Sequence, residues 1–206
     1  MPPDFDGGTE LSFARELPLT KEAIAFAQAR HVGQRRAADG APFVLHPLEV
    51  AALLESSGCP DHVVAAAVLH DVLEDTDAER SELEARFGLE VAELVALVSD
   101  DPSIGDIEQR KDEVRERVRR ADGNAFVVYA ADKVSKVREL RILIATGLDR
   151  AAAMVRLRRY RKSLDMLEQA IPANWLVEVL RFELEALEAL PPDQSEVKRR
   201  SQRPPD

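Results

Sequence analysis

The chain has 206 residues, 45% of them hydrophobic and 32% charged, which is typical of a globular domain that buries a core of its own. Its net charge of −10 argues against nucleic acid as a partner, because sequence-independent binding requires a basic surface. The single cysteine, Cys59, excludes an internal disulfide, and neither a membrane-length apolar run nor a signal peptide is evident. We therefore expect a cytoplasmic protein with no nucleic-acid or membrane partner.

Apolar residues recur with helical periodicity along most of the chain, and no alternating strand pattern competes with it. In chain order, the predicted helices lie near 20–37, 47–57, 61–74, 78–87, 89–99, 106–120, 124–145, 149–169 and 173–189. Thr20 and Asp149 are expected N-caps, and Gly88 is expected to end a helix. The pattern predicts an all-α helical bundle of one domain, with three ranges: a disordered tail at 1–15, the domain at 16–190 and a disordered tail at 191–206.

The stretch AVLHDVLEDT, residues 67–76, places one histidine and three acids after a nearly unbroken apolar run. On a continuous helix, His70 and Glu74 share one face, and Asp71 and Asp75 share the neighbouring face. Carboxylates this close repel one another unless a cation lies between them. The acids could instead cap a solvated helix end, but this alternative suits His70 and Asp71 poorly because the apolar run predicts their burial.

Two further polar residues lie in apolar surroundings. His46 enters a helix from the apolar segment PFVL, and Asp132 lies within FVVYAADKV. A buried acid needs an ion pair or a metal, and for Asp132 alone a buried salt bridge remains the alternative. Together with His70 and Asp71, these residues form a candidate site for one divalent cation. Mixed histidine and aspartate donors suit Mn, Fe, Co or Zn better than Mg or Ca.

At these residues the sequence resembles the HD superfamily of metal-dependent phosphohydrolases, and within it the alarmone hydrolase branch. That branch comprises the hydrolase domain of Rel/SpoT proteins and the stand-alone small alarmone hydrolases. Four stretches carry the resemblance, in the family's order and spacing: ARHVGQRRAADGAPFVLHPLEVAALL, AAAVLHDVLEDT, LVSDDPSIGDIEQRK and AADKVSKVREL.

The resemblance implies a single HD-domain bundle that removes the 3′-pyrophosphate from (p)ppGpp and gives GDP or GTP. It also implies one divalent metal ion, usually Mn²⁺, and a phosphorylated nucleotide as the small-molecule partner. The implied metal ligands are His46, His70, Asp71 and Asp132. Glu74 and Asp75 are implied to hold and activate the attacking water. The implied substrate-binding residues are Arg35 or Arg36 at the base, and Lys136, Arg156 and Tyr160 at phosphate or ribose.

Two positions depart from the family pattern. Lys136 stands where the family has Asn, and Pro102 stands where the small hydrolases tend to have Lys. An ammonium brings a point charge in place of a hydrogen-bonding amide. The hydrolytic residues are thus retained while the nucleotide pocket is altered. Other substrates therefore remain open (ppApp, pGpp or the 2′-phosphate of NADPH), as does a non-catalytic nucleotide-sensing module, and the chain is expected to be a monomer or homodimer.

Overall fold

The computed structural model describes residues 12–121 and 123–189. Within these ranges the fold is all-α, as predicted, with one 3-10 turn at Ser12–Ala14 and no β-strand. The α-helices, numbered in chain order from α1 to α10, are Pro18–Arg30, Leu45–Ser56, Asp61–Leu69, Val72–Asp75, Arg80–Phe87, Leu89–Val98, Ile107–Arg120, Gly123–Ala145, Arg150–Ala170 and Trp175–Glu188. The predicted C-terminal tail and most of the N-terminal tail lie outside the described residues.

Helix α3 is the central element of the bundle. Every residue from Val63 to Leu69 is buried, and α1, α2, α6 and α8 all pack against this helix. A helix that is apolar on all sides has no solvent face, which explains why the sequence shows a run here instead of a stripe. The buried α3 therefore places the two residues that follow it, His70 and Asp71, in the interior of the molecule.

The prediction of one continuous helix over 61–74 was wrong, because two helices occupy this range. Helix α3 ends at Leu69, and α4 begins at Val72. The hydroxyl of Ser99, at the end of α6, donates a hydrogen bond to the carbonyl of His70, 3.2 Å away. The first hydrogen bond of α4 runs from the backbone N–H of Asp75 to the carbonyl of Asp71, at 3.0 Å. The Ser99 side chain and a bond within α4 thus satisfy the two carbonyls at the break.

The N-terminus of α1 also differs from the prediction. The helix begins at Pro18, before the expected cap Thr20, and is capped by a residue that is distant in sequence. The carboxylate of Asp61 accepts hydrogen bonds from the backbone N–H groups of Leu19 and Thr20, each at 2.9 Å, and from the Thr20 hydroxyl at 2.7 Å. A local cap was predicted because distant caps leave no pattern in the sequence.

Three other boundaries test the sequence pattern. Gly88 ends α5 with a φ of +86°, and Asp149 caps α9 by accepting from the backbone of Ala152, so both predictions are confirmed. Helix α1 stops at Arg30 instead of residue 37, and turns occupy 31–44. None of the described helices is both long and apolar enough to cross a membrane.

Candidate metal centre

Three helical elements bring two imidazole nitrogens and two carboxylate oxygens to one buried point. His46 Nε2, from the first turn of α2, lies 3.3 Å from Asp71 Oδ2 and 3.2 Å from Asp132 Oδ1 of α8. His70 Nε2 lies 3.2 Å and 3.5 Å from the same two oxygens. The two Nε2 atoms are 3.2 Å apart, and all four side chains are buried. The structure thus brings together the four predicted metal ligands.

The donor atoms of this cluster fit a divalent cation. Asp71 Oδ2 and Asp132 Oδ1 are buried. Asp71 Oδ2 has no hydrogen-bond partner in the described part of the chain, and Asp132 Oδ1 lies 3.0 Å from the Lys136 ammonium. His70 Nδ1 lies 2.7 Å from the carbonyl of Ala67, which can only accept, so Nδ1 carries a proton. A cation that displaces the second ring proton would therefore bind at Nε2, which faces the cluster. Ligands bound at about 2.1 Å lie about 3.0–3.4 Å from one another, close to the 3.2–3.5 Å that separate each histidine Nε2 from the other and from the two carboxylate oxygens. The donor atoms of His46, His70 and Asp132 all lie within 4.8 Å of one another. A cation here would satisfy Asp71 Oδ2 and would share Asp132 Oδ1 with Lys136.

The electrostatics of the cluster indicate a site built for positive charge. Burial alone would lower the pKa of His70, but the charges of Asp71 and Asp132 outweigh it and raise this pKa to about 10. Burial disfavours the ionised form of both aspartates. Even so, His70 and Lys136 hold the pKa of Asp71 far below its usual value, and Lys133 and Lys136 do the same for Asp132. Both carboxylates are therefore ionised inside the protein, beside the same two histidines.

Two lysines of α8 lie against these carboxylates. Lys133 Nζ donates to Asp132 Oδ2 at 2.5 Å and lies 4.2 Å from the centre of the Tyr129 ring. Because Lys133 binds Oδ2, the other oxygen of Asp132, Oδ1, is the one that faces His46 and His70. Lys136 Nζ lies 3.0 Å from Asp132 Oδ1 and 3.7 Å from Asp71 Oδ1. Sequence reasoning missed Lys133, because a lysine beside an aspartate is too common a pair to signal a buried contact.

Glu74 lies beside the cluster on the short helix α4. It is half-buried, and its Oε1 accepts a hydrogen bond from the backbone of Asp100 at 2.7 Å. Lys111 Nζ in turn contacts Asp100 Oδ2 at 2.5 Å. Burial raises the pKa of Glu74, Lys136 opposes this effect, and the charge of Asp71 adds to it. A carboxylate with a raised pKa is suited to accept a proton near neutral pH.

Asp75, the second predicted catalytic acid, is more exposed than Glu74. Partial desolvation, and after it the charge of Asp71, raises its pKa. Its backbone carbonyl accepts from Gln34 Nε2 at 2.7 Å, and Gln34 Oε1 lies 2.7 Å from Nδ1 of the buried His31. These contacts join α4 to the loop between α1 and α2, which also carries the predicted base-binding arginines.

The predicted substrate-binding arginines of this loop point in different directions. Arg36 is half-buried, pairs with Asp39, and places its Nε 3.3 Å from Glu139 Oε1 of α8. Arg35 is exposed and donates to the carbonyl of Gly40 at 3.2 Å. Only Arg36 of this pair therefore contacts the helix that carries Asp132.

The remaining substrate-binding predictions fall on α9. Tyr160 packs against the core, and desolvation raises its pKa while the charges of Lys136 and Lys133 oppose that change. Its ring therefore lies within electrostatic reach of the cluster. Arg156, one turn earlier, is half-buried and forms no ion pair or hydrogen bond within 12–121 and 123–189. An unpaired guanidinium near the site is available to an anionic ligand.

Two residues near His46 were missed by the sequence reasoning. His46 Nδ1 lies 2.9 Å from Ser135 Oγ, and this hydroxyl donates to Glu49 Oε2 at 2.8 Å. The only available signal was spacing, since Glu49 lies one turn after His46 and Ser135 lies one turn after Asp132. Serine and glutamate at such spacing are common on helices, so the spacing alone does not identify either residue as part of a metal centre.

The sequence matches a known protein family and several known proteins. The HD domain family model matches residues 23–157. The guanosine-3′,5′-bis(diphosphate) 3′-pyrophosphohydrolase MESH1 of Mus musculus is 39% identical over 129 residues, which span 61% of this chain and 72% of that protein. The Homo sapiens protein of the same name is 39% identical over 122 residues, which span 58% and 68%. The GTP pyrophosphokinase rsh of Brucella ovis is 33% identical, but the match spans only 17% of its length.

Two solved structures resemble the fold. One is a metazoan ortholog of SpoT that hydrolyses ppGpp and plays a role in starvation responses. It superposes with a TM-score of 0.74 at 29% identity and covers 84% of this chain and 97% of its own. A Listeria monocytogenes protein superposes with a TM-score of 0.60 at 26% identity, covering 69% of this chain and 92% of its own.

Proposed function

The chain belongs to the HD domain family, and from this premise we propose that it is a 3′-pyrophosphohydrolase of guanosine (p)ppGpp-type alarmones. The products would be pyrophosphate and GDP or GTP. The observation that carries the proposal is the convergence of His46, His70, Asp71 and Asp132 beside Glu74. The names of the MESH1 relatives and the ppGpp hydrolysis described for the SpoT ortholog support the same activity.

The four clustered side chains would hold one divalent cation, for which we propose Mn²⁺ because imidazole and carboxylate donors together suit it. When bound, such a cation supplies Lewis-acid polarisation of a phosphoryl oxygen and lowers the pKa of water. The ligand roles of His46, His70, Asp71 and Asp132 rest on the distances of both carboxylates from the two histidine Nε2 atoms. They rest also on Asp71 Oδ2, which is buried and has no hydrogen-bond partner among the described residues.

The charge balance of the site favours a polyphosphate substrate. The carboxylates of Asp71 and Asp132 are matched by the ammonium groups of Lys133 and Lys136, so these four side chains together are neutral. A divalent cation added to this set offsets the nearby carboxylates of Glu74 and Asp75. A substrate with several clustered negative charges could then bind the cation and the Arg156 guanidinium, and a pyrophosphate ester meets this requirement.

Glu74 is the group that we propose as proton acceptor. Water attacks the phosphorus next to the ribose and gives a proton to Glu74, while the bond from that phosphorus to the ribose 3′ oxygen breaks. Pyrophosphate leaves with the water oxygen, and the 3′ oxygen takes up a proton, from Glu74 or from solvent, to become a hydroxyl. The hydrogen bond from the backbone of Asp100 fixes the orientation of the Glu74 carboxylate. Asp75 would hold the water from the more open side, consistent with its greater exposure.

The nucleotide would lie between the loop before α2 and the helix α9. We propose that Arg36 stacks on the base, since it lies against α8 whereas Arg35 faces outward. Arg156 and Tyr160 would contact phosphate or ribose from α9, and Lys136 would contact the phosphate nearest the cluster.

We also propose that this enzyme acts in the cytoplasm as a monomer or homodimer. Its net charge of −10 supports the absence of a nucleic-acid partner, because the basic groups of the site suit a small anion and not a long phosphate backbone.

One observation favours a second candidate substrate class. The Lys136 ammonium, 3.0 Å from Asp132 Oδ1, occupies the position where relatives carry an amide that can hydrogen-bond the nucleotide. A different nucleotide phosphate would suit this altered pocket, with ppApp, pGpp and the 2′-phosphate of NADPH as the alternatives.

A substrate panel tests the proposal. The purified protein, loaded with Mn²⁺, is incubated separately with ppGpp, pGpp, ppApp and NADPH, and the released products are identified. Pyrophosphate from ppGpp as the fastest reaction supports the proposal. Release of phosphate from NADPH, with no product from the other three substrates, would favour the second substrate class. Metal binding with no turnover of any of the four substrates would support a sensing module.

A further inference from the structure

A continuous line of polar contacts runs from His46 to the C-terminal helix. His46 Nδ1 lies 2.9 Å from Ser135 Oγ, and Ser135 donates to Glu49 Oε2 at 2.8 Å. Arg138 donates to Glu49 Oε1 at 2.9 Å and to Glu183 Oε1 of α10 at 3.2 Å. We name this line of five side chains the His46 relay. It connects α2, α8 and α10, and α10 lies outside the matched family region 23–157.

The direction of each proton in the relay follows from its chemistry. A carboxylate paired with a guanidinium is only an acceptor, so Ser135 must use its single hydroxyl proton on Glu49. The Ser135 oxygen can then only accept from His46, and the His46 proton lies on Nδ1. The lone pair of the neutral ring is thereby left on Nε2, the atom that faces Asp71 and Asp132.

Burial makes this arrangement hard to replace with water. Ser135 is 0% exposed and His46 is 1% exposed, so solvent does not compete for the bond between them. Glu183 is also buried, and it binds both Arg138 and Arg141 of α8. The relay therefore begins at a buried ligand and ends at a buried carboxylate that has two cationic partners.

We propose that Ser135 and Glu49 are positioning residues of the metal centre, which fix His46 in the tautomer that a cation requires. The proposal further states that Glu183 of α10 supports them through Arg138. It rests on the metal centre of the proposed function but concerns a different set of residues. The opposite tautomer would place a proton on Nε2, where a cation would otherwise bind. Partners of this kind commonly change metal affinity by about 10- to 100-fold.

Two variants and a matched control test the proposal. Ser135→Ala removes the acceptor of the His46 proton. Glu49→Gln supplies an amide that can donate to Ser135, which turns the hydroxyl proton toward His46. Ser163→Ala is the control, since Ser163 is buried like Ser135 and its hydroxyl also joins two helices, through the Tyr129 hydroxyl 2.8 Å away.

The measurements are the dissociation constant for Mn²⁺, the melting temperature without metal, and the imidazole ¹⁵N spectrum of the Zn²⁺-loaded protein. We expect Ser135→Ala and Glu49→Gln to bind Mn²⁺ about 10-fold or more weakly than Ser163→Ala. The His46 nitrogen signals should shift only in the first two variants. Because Glu49 is partly exposed, Glu49→Gln keeps the test available if Ser135→Ala fails to fold.

Equal Mn²⁺ affinities in all three variants, or unchanged His46 nitrogen signals in Glu49→Gln, would overturn the proposal. These outcomes are separate from the failure of the proposed function. A wild-type protein that binds Mn²⁺ but releases no pyrophosphate from ppGpp would refute the hydrolase assignment and leave the relay standing.

Discussion

Asp71 and Glu74 are three residues apart in sequence, but their surroundings shift their pKa values in opposite directions. Asp71 is buried among His70 and Lys136 and stays ionised, with a pKa far below its usual value. Glu74 is half-buried, and its pKa is raised. Neighbouring carboxylates with separated pKa values suit separate tasks, one binding a cation and the other accepting a proton.

Substitution of Glu74 tests this division of tasks. We expect Glu74→Gln to lower kcat for ppGpp by about 10²- to 10⁴-fold, because the amide accepts no proton. Its affinity for Mn²⁺ should stay within a few-fold of the wild type, as measured by calorimetry. Glu90→Gln, on the exposed face of α6, is the control and should leave both quantities unchanged. Loss of metal binding in Glu74→Gln would make Glu74 a ligand instead.

Lys136 is the residue expected to set substrate preference. Its ammonium lies against both aspartates, and Asn at this position would restore the amide of the relatives. We expect Lys136→Asn to change the ranking of kcat/KM across ppGpp, pGpp, ppApp and NADPH, measured with Mn²⁺ at saturation. Lys162→Asn, an exposed charge change on α9, serves as control. An unchanged ranking in Lys136→Asn would reduce Lys136 to a structural ion pair.

Single residues could be predicted from the sequence where a polar group interrupts an apolar run. His70, Asp71 and Asp132 stood out in this way, and the structure brings them together. Ser135 and Lys133 did not stand out, because a serine or lysine one to three residues from an aspartate is common on any helix. Their contacts depend on how α2 and α8 approach each other, which no local pattern encodes.

At the scale of elements, helix identity was predictable and helix ends were less so. Apolar periodicity correctly predicted the number and order of the long helices, since the core-facing stripe repeats over many residues. The break between α3 and α4 was missed because its partner, Ser99, lies almost thirty residues away. The cap of α1 was missed for the same reason, as Asp61 is distant in sequence.

The distant cap of α1 gives a prediction at this scale. Asp61→Ala removes the acceptor of two backbone N–H groups and of the Thr20 hydroxyl at the junction of α1 and α3. We expect a loss of about 2 kcal/mol in the free energy of unfolding, measured by urea titration, since a cap and a charged hydrogen bond are lost together. Asp61→Asn should lose less because its amide oxygen still accepts.

Asp77→Ala is the matched control for the α1 cap. Asp77 also contacts α1, but its side chain is 89% exposed and pairs with the Arg30 guanidinium at the other end of that helix. Its loss should cost clearly less stability than the loss of Asp61. Equal effects of the two substitutions would show that Asp61 does not cap α1.

At the scale of the whole molecule, the fold serves to bring together side chains that are far apart in sequence. His46 and Asp132 come from α2 and α8, which pack against each other and against the buried α3. The family region ends at residue 157, yet α10 packs on α8 and reaches Glu49 through Glu183 and Arg138. The sequence predicted the fold class and the cluster, but not this link, since it depends on tertiary packing alone.

The most direct test of the central claim is to titrate Mn²⁺ into EDTA-treated protein while pyrophosphate release from ppGpp is measured. The account predicts that release appears with added metal and saturates at one Mn²⁺ per chain. Asp71→Asn should be at least about a hundredfold slower, since a cation at the phosphoryl oxygen supplies several kcal/mol. Full pyrophosphate release by the metal-free protein, or by Asp71→Asn, would contradict the account.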